Sequence, residues 1–195
     1  LDLEELKSAI GDDTALVSIM YANNETGVIF PIDAIGEIVK ARGIPFHTDA
    51  VQAVGKIPLD MSRQPIDMLS LSGHKLHAPK GIGVLYLRRG TKFSPLMKGG
   101  HQEKGRRGGT ENVPHIVGLG RACELAAEFM EDEQTRVKAL RDRLEEGLLT
   151  PVQAEHRPVA EEQGVALALD RRALEPRPPA GRSLPRSAGV GKPGR

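Results

Sequence analysis

Leu69-Ser-Leu-Ser-Gly-His-Lys75 starts as a short β-strand, apolar and small polar side chains alternating, and breaks at a glycine into two basic residues. Strands of this kind, recurring between helical stretches, build a sheet packed against helices. In such a sheet the loops that leave the carboxyl ends of the strands share one crevice. A lysine placed just past a strand end is expected to be buried there, and a buried lysine is rare without a partner or a covalent role.

Upstream of this stretch, Ile44-Pro-Phe-His-Thr-Asp49 reads as another short strand, followed by a helical turn over Ala50-Val-Gln-Ala-Val-Gly55. Further back, a β-type run from Ala15 to Tyr21 enters the polar turn Ala22-Asn-Asn-Glu-Thr-Gly27. Pro31 then opens an amphipathic helix that stops near Gly43, and Leu1 to Ile10 is a short amphipathic helix. Downstream come a strand at Gly83-Val-Leu-Tyr-Leu-Arg88, a glycine-rich loop from Gly99 to Gly109, and helical stretches over Val113 to Met130 and Glu133 to Leu149. The second of these carries Leu140, Leu144 and Leu148 on one stripe. The alternation predicts an α/β fold with a parallel or mixed sheet covered on both faces.

The 195 residues suffice for one or two domains, with a core drawn from Leu, Ile, Val and Ala, since aromatic residues make up 3% and Trp is absent. Lys and Arg number 27 against 26 Asp and Glu, so charge gives no reason to expect nucleic acid or a membrane surface as partner. No apolar run approaches bilayer length and the first residues do not resemble a signal peptide, so a cytoplasmic protein is expected. The single cysteine, Cys123, excludes an internal disulfide framework and falls on a helical pattern that predicts a small buried residue. His77, His101 and His115 lack metal-ligand spacing, and no metal is assigned.

From Pro151 the periodicity fails and Pro and Arg recur without pattern. Residues 1–150 are therefore expected to form the ordered part. Residues 151–195 are expected to be a disordered tail or the product of out-of-frame translation, the second being preferred.

Three strand ends converge in this scheme. Asn23-Asn24 follow the first strand, His47-Thr-Asp49 close the second, and Ser72-Gly-His-Lys75 close the third, presenting amide, carboxylate, imidazole and amine groups together. Pyridoxal phosphate (PLP) asks a protein for such a set: a lysine to bind it covalently, an acid to keep its pyridine nitrogen protonated, and donors for its phosphate. Lys75 is the candidate lysine and Asp49 the acid. Gln52 is placed to bond the ring oxygen, and Ser72 and His74 to reach the phosphate. Several polar residues of these segments and of the glycine-rich loop have plainer readings. Asp49 would cap the turn at Ala50, Asn24 would be a turn residue, Thr110 would cap the helix near Val113, and His47, a core histidine, is left outside the site.

Four segments, Ala22-Asn-Asn-Glu-Thr-Gly27, His47-Thr-Asp-Ala-Val-Gln52, Ser72-Gly-His-Lys-Leu-His-Ala-Pro-Lys-Gly81 and Gly108-Gly-Thr-Glu-Asn112, resemble in order and interval the cysteine desulfurases of the NifS type, members of the class V aminotransferases. The likeness runs from Leu1 to about Thr150, and the third segment is more like the nitrogen-fixation branch than the housekeeping one. The resemblance implies the large PLP-binding domain of fold-type I enzymes, a seven-stranded, mostly parallel sheet between helices, truncated here at both ends, in a homodimer. It implies Lys75 as the cofactor lysine and proton shuttle, Asp49 on the pyridine nitrogen, Gln52 and Asn24 on ring oxygen and substrate, Ser72 and His74 on the phosphate. Thr110 would reach the phosphate of the neighbouring subunit. The family reaction converts L-cysteine to alanine and leaves a persulfide on an enzyme cysteine, passed on to an iron–sulfur scaffold protein of the NifU-like or IscU-like kind. The family's glycine-threonine phosphate loop and ring-stacking histidine would precede Leu1, and the loop bearing the nucleophilic cysteine would follow Thr150; Cys123 does not match it. The expectation is a desulfurase fragment that is inactive alone, with a selenocysteine lyase fragment or a non-catalytic dimerisation remnant as alternatives.

Overall fold

The computed structural model describes residues 1–149 together with the backbone of residues 167–170. Helix α1 (Leu3–Ala9) starts where the Asp2 carboxylate accepts the N–H groups of Glu4, at 2.7 Å, and Glu5, at 3.3 Å. Strand β1 (Thr14–Met20) follows. Helix α2 (Ile32–Ala41) buries Ile32, Ile35, Gly36 and Val39, the spacing of one helical face. Gly36 is required there, because a Cβ would stand 2.6 Å from Pro65 Cγ. Strands β2 (Phe46–Asp49), β3 (Met68–Ser72) and β4 (Gly83–Leu87) come next. They are followed by a helical turn α3 (Gln102–Gly105), the long helix α4 (Val113–Glu128), the short α5 (Met130–Asp132), a wide π turn (Glu133–Val137) and α6 (Lys138–Leu149).

The sheet has the order β4-β3-β2-β1-β5, where β5 is Leu167–Asp170. Strands β1, β2 and β3 are parallel, and an antiparallel strand lies at each edge. The strands at the centre were all legible as local patterns; the edges give the sheet its mixed character. Strand β5 falls within the stretch for which no periodic structure is expected, and the remainder of that stretch lies outside the described residues.

Alternation sorts the central strands into two faces. Val17 and Ile19, Phe46 and Thr48, and Leu69 point to a core completed by Ile32, Ile35 and Val39 of α2 and by Leu6 and Ile10. The opposite face carries Ser18, Met20, His47, Asp49, Met68, Ser70 and Ser72, none of them buried. Cover on both faces is the expectation from sequence; the described α1 and α2 contribute to the core on the apolar face. A smaller cluster places Leu119 and Ala122 of α4, with Cys123 and Ala126 beside them, against Leu76, Val54 and Leu71. Leu140, Leu144 and Leu148 of α6 form the expected stripe but are exposed among the described residues.

Thr48 is fully buried and its hydroxyl has no hydrogen-bond partner among the described residues. An unmet buried hydroxyl costs stability, and valine keeps the branched shape without it. Thr48→Val is expected to raise the unfolding free energy by about 1 kcal/mol, read from the urea midpoint; a loss of stability would show that the hydroxyl is satisfied in solution.

Candidate functional site

The three parallel strands end on one side of the sheet. Met20 closes β1, Asp49 closes β2 and Ser72 closes β3, with Met20 in register with Asp49 and Asp49 with Ser70. Six of the seven residues singled out from sequence lie on these ends or the loops leaving them.

After β1 the chain turns on Asn23, whose side-chain oxygen accepts the N–H groups of Glu25, at 2.8 Å, and Thr26, at 3.0 Å. Gly27, at φ 73°, closes the turn. Turn formation therefore belongs to Asn23, and Asn24 is left exposed at the tip with no hydrogen-bond partner among the described residues. Asp49 is exposed at the end of β2, and one of its oxygens accepts the Val51 N–H at 2.9 Å. The capping reading of Asp49 is thus correct, and it leaves the second oxygen free for a ligand. Gln52 follows, half-buried and without a hydrogen-bond partner among the described residues.

Past β3 the chain makes a tight 3₁₀ turn, Gly73–Leu76. Gly73 is forced by packing: a Cβ would lie 2.7 Å from Ile82 Cγ2 and 3.0 Å from the Ile82 carbonyl oxygen, which already accepts the Gly73 N–H at 2.9 Å. His77, at φ 61°, ends the turn. With Gly73 and Leu76 buried, the two residues between them face outward, so Lys75 is exposed where a buried lysine is expected. Its amine has no partner among the described residues. His74 shares a 2.8 Å hydrogen bond between its Nδ1 and the Ser72 hydroxyl.

Thr110 stands apart. It lines a cleft of about 910 Å³ with Val84, Phe93, Met97, Lys104 and Arg107, and none of the other six residues lines it. Nor does Thr110 cap α4; Asn112 does, accepting the His115 N–H at 3.3 Å.

His47, set aside from sequence as a core histidine, is half-buried directly under this site. Its Nδ1 lies 2.7 Å from the Ser18 hydroxyl and its Nε2 3.2 Å from the Ser70 hydroxyl, so one ring ties β1 and β3 across β2. Burial lowers its pKa below the ordinary 6.5, against the opposing pull of the Asp49 carboxylate. Between the folded value and 6.5 the unfolded chain binds more protons, so stability rises with pH there. The contribution is present above 6.5 and lost as pH falls through the folded value. Urea midpoints measured from pH 5 to 8 are expected to fall toward acid less steeply in His47→Gln than in the parent; identical slopes would contradict this.

Cys123 is half-buried on α4, and burial raises its pKa. Its thiol is protonated at neutral pH, and iodoacetamide is expected to modify it slowly in the folded chain and rapidly in urea; equal rates would show an exposed thiolate. No group of three or more His, Cys, Asp or Glu suited to a metal ion occurs among the described residues, and no described helix is long and apolar enough to cross a membrane.

A lysine on a clamped turn beside a serine–histidine pair, at the carboxyl ends of parallel strands, agrees with a wider similarity: the chain belongs to the aminotransferase class-V family, whose model matches residues 1–173. Within that family it is 62% identical over 152 residues to the cysteine desulfurase NifS of Azotobacter vinelandii, covering 78% of this chain and 38% of that protein. It is 64% identical over 152 residues, with the same coverage, to cysteine desulfurase 2 of Trichormus variabilis. Among solved structures, a NifS-like protein superposes with a TM-score of 0.74 at 45% identity, over 77% of this chain and 42% of that one. A second, SspA in complex with cysteine, gives 0.61 at 48% identity, over 64% and 36%. The chain thus spans well under half the length of the relatives it matches.

Proposed function

We propose that this chain is the cofactor-binding part of a PLP-dependent cysteine desulfurase that converts L-cysteine to alanine and passes the sulfur to an enzyme cysteine. The observation that carries the reading is Lys75, held on the Gly73–Leu76 turn with an unengaged amine, next to the Ser72–His74 pair and beyond the end of β3, the strand paired with the one that Asp49 closes. This donor set fits PLP, the cofactor of the family: an amine, a carboxylate with one free oxygen, a hydroxyl and an imidazole.

Bound there, PLP supplies an electron-withdrawing ring to the bonds of the substrate α-carbon. Lys75 would hold it covalently through Nζ, and its amine would be the group placed to move protons at the substrate carbon. Asp49 holds the proton on the pyridine nitrogen through the oxygen that Val51 does not use. Gln52 donates to the ring oxygen, Ser72 and His74 bind the phosphate, and Asn24 contacts the ring oxygen or the substrate from the turn after β1. Thr110, lying in its own cleft, serves the phosphate of a neighbouring subunit in a homodimer. The sulfur acceptor is not Cys123, whose thiol is held protonated on a packed helix.

L-cysteine as substrate is supported by the related structure that holds cysteine, and a nitrogen-fixation role by the NifS relative. An iron–sulfur scaffold, NifU-like or IscU-like, is the receiving partner, and the setting is cytoplasmic. The test is addition of PLP to the purified chain followed by hydride reduction. A single stable adduct at Lys75 supports the reading; no adduct, or one spread over surface lysines, ends it.

A further inference from the structure

His47 is hydrogen-bonded at both ring nitrogens, to Ser18 on β1 and Ser70 on β3, and Asp49 stands two positions further along the same face of β2. Alternate residues of a strand stand about 6 to 7 Å apart on one face. At that range a cation at His47 would draw on the Asp49 carboxylate and compete with any positively charged ligand. Among the described residues that β1, β2 and β3 place on this face beside His47 (Ser18, Met20, Asp49, Met68, Ser70 and Ser72), Asp49 is the one full charge near the imidazole. Two hydroxyls bond a neutral imidazole as well as a charged one, since each both donates and accepts, whereas partial burial favours the neutral ring.

On the reading of Asp49 given above, we propose that His47 is its positioning residue: an uncharged imidazole, anchored at two points, that braces the three strand ends and keeps the Asp49 carboxylate free of a neighbouring cation and available to a pyridinium. The consequence is specific. Charge at position 47, more than loss of the ring, is what the site cannot tolerate.

The experiment has a cofactor-free arm and a PLP arm, both on the purified chain. In the first, ¹⁵N shifts of the His47 ring are followed with pH; a neutral ring at pH 7 is expected, and a charged one overturns the proposal. In the second, PLP is titrated against variants, watching affinity and the position of its visible band. His47→Gln, neutral and hydrogen-bonding, is expected to bind within about threefold of the parent with an unmoved band, and His47→Lys about tenfold more weakly with a shifted one. In an Asp49→Asn background, His47→Lys is expected to change affinity less than about twofold, because the interaction it perturbs is gone. Equal weakening in both backgrounds assigns His47 a merely structural role and overturns the proposal. Should His47→Lys not fold, the Ser18→Ala, Ser70→Ala pair replaces it. Its released imidazole is expected to titrate closer to the ordinary value and PLP affinity to fall below that pH; movement in neither overturns the proposal. A parent chain that binds no PLP would end the function proposed above and leave the ring titration to decide this one.

Discussion

Lys75→Ala is expected to abolish covalent retention of PLP and to lower cysteine desulfuration in the intact enzyme by at least about 10³-fold, the scale for losing a group that both bonds the cofactor and moves protons. The effect should fall on kcat more than on KM, because Asp49, Gln52, Ser72 and His74 would still hold the ring and phosphate. The fold should survive: the exposed Lys75 side chain makes no hydrogen bond or ion pair among the described residues. That combination separates a chemical role from a structural one. An alanine variant with unchanged circular dichroism, no adduct after hydride reduction and no alanine formed from cysteine is the expected outcome. Retention of more than a few per cent of activity would remove Lys75 from the mechanism.

Arg88→Ala is expected to cost about 3 kcal/mol of stability, from the loss of charge-assisted hydrogen bonds to main-chain carbonyls that have few other donors. Arg88 sits one residue beyond β4. Its Nε donates to the Ile66 carbonyl at 2.8 Å, and one terminal nitrogen donates to the carbonyls of Met61 and Gln64, each at 2.7 Å. Its backbone N–H bonds the Asp67 carbonyl at 2.8 Å, while the Asp67 carboxylate accepts the Phe46 N–H at 2.9 Å. One guanidinium therefore secures the loop that delivers the chain into β3, the strand leading to Lys75. Arg88→Lys should recover less than half, because a single ammonium on a flexible stem does not reproduce the fork. The urea midpoint reads both; a change under about 1 kcal/mol for alanine would mean that water replaces the guanidinium without loss.

Much of this protein is written in local pattern. The apolar spacing of Ile32, Ile35 and Val39 marks one face of a helix. The alternation in Val17-Ser-Ile19 and Leu69-Ser-Leu71 sets which side of each strand is apolar, and Gly73 before His74 and Lys75 marks a turn at a strand end. These signals depend on neighbours a few residues apart, so they read without a fold. The chemistry of the candidate site was legible for the same reason: strand ends of a parallel sheet meet in one place whatever the loops between them.

Tertiary structure decided the rest, because each remaining feature joins residues far apart in the chain. Strand order and the antiparallel placing of β4 follow from pairing, which no single strand encodes. Ser18, His47 and Ser70 come together only through the register of three strands, and that contact makes a histidine read from sequence as a core residue into a tie between β1 and β3. Arg88 reads as an ordinary basic residue until β4 brings it to the carbonyls of Met61, Gln64 and Ile66. Lys75 stands out as a candidate from its own seven residues; its outward position was set by Gly73 pressed against Ile82 and by Leu76 buried against α4, contacts that exist only after the chain has folded.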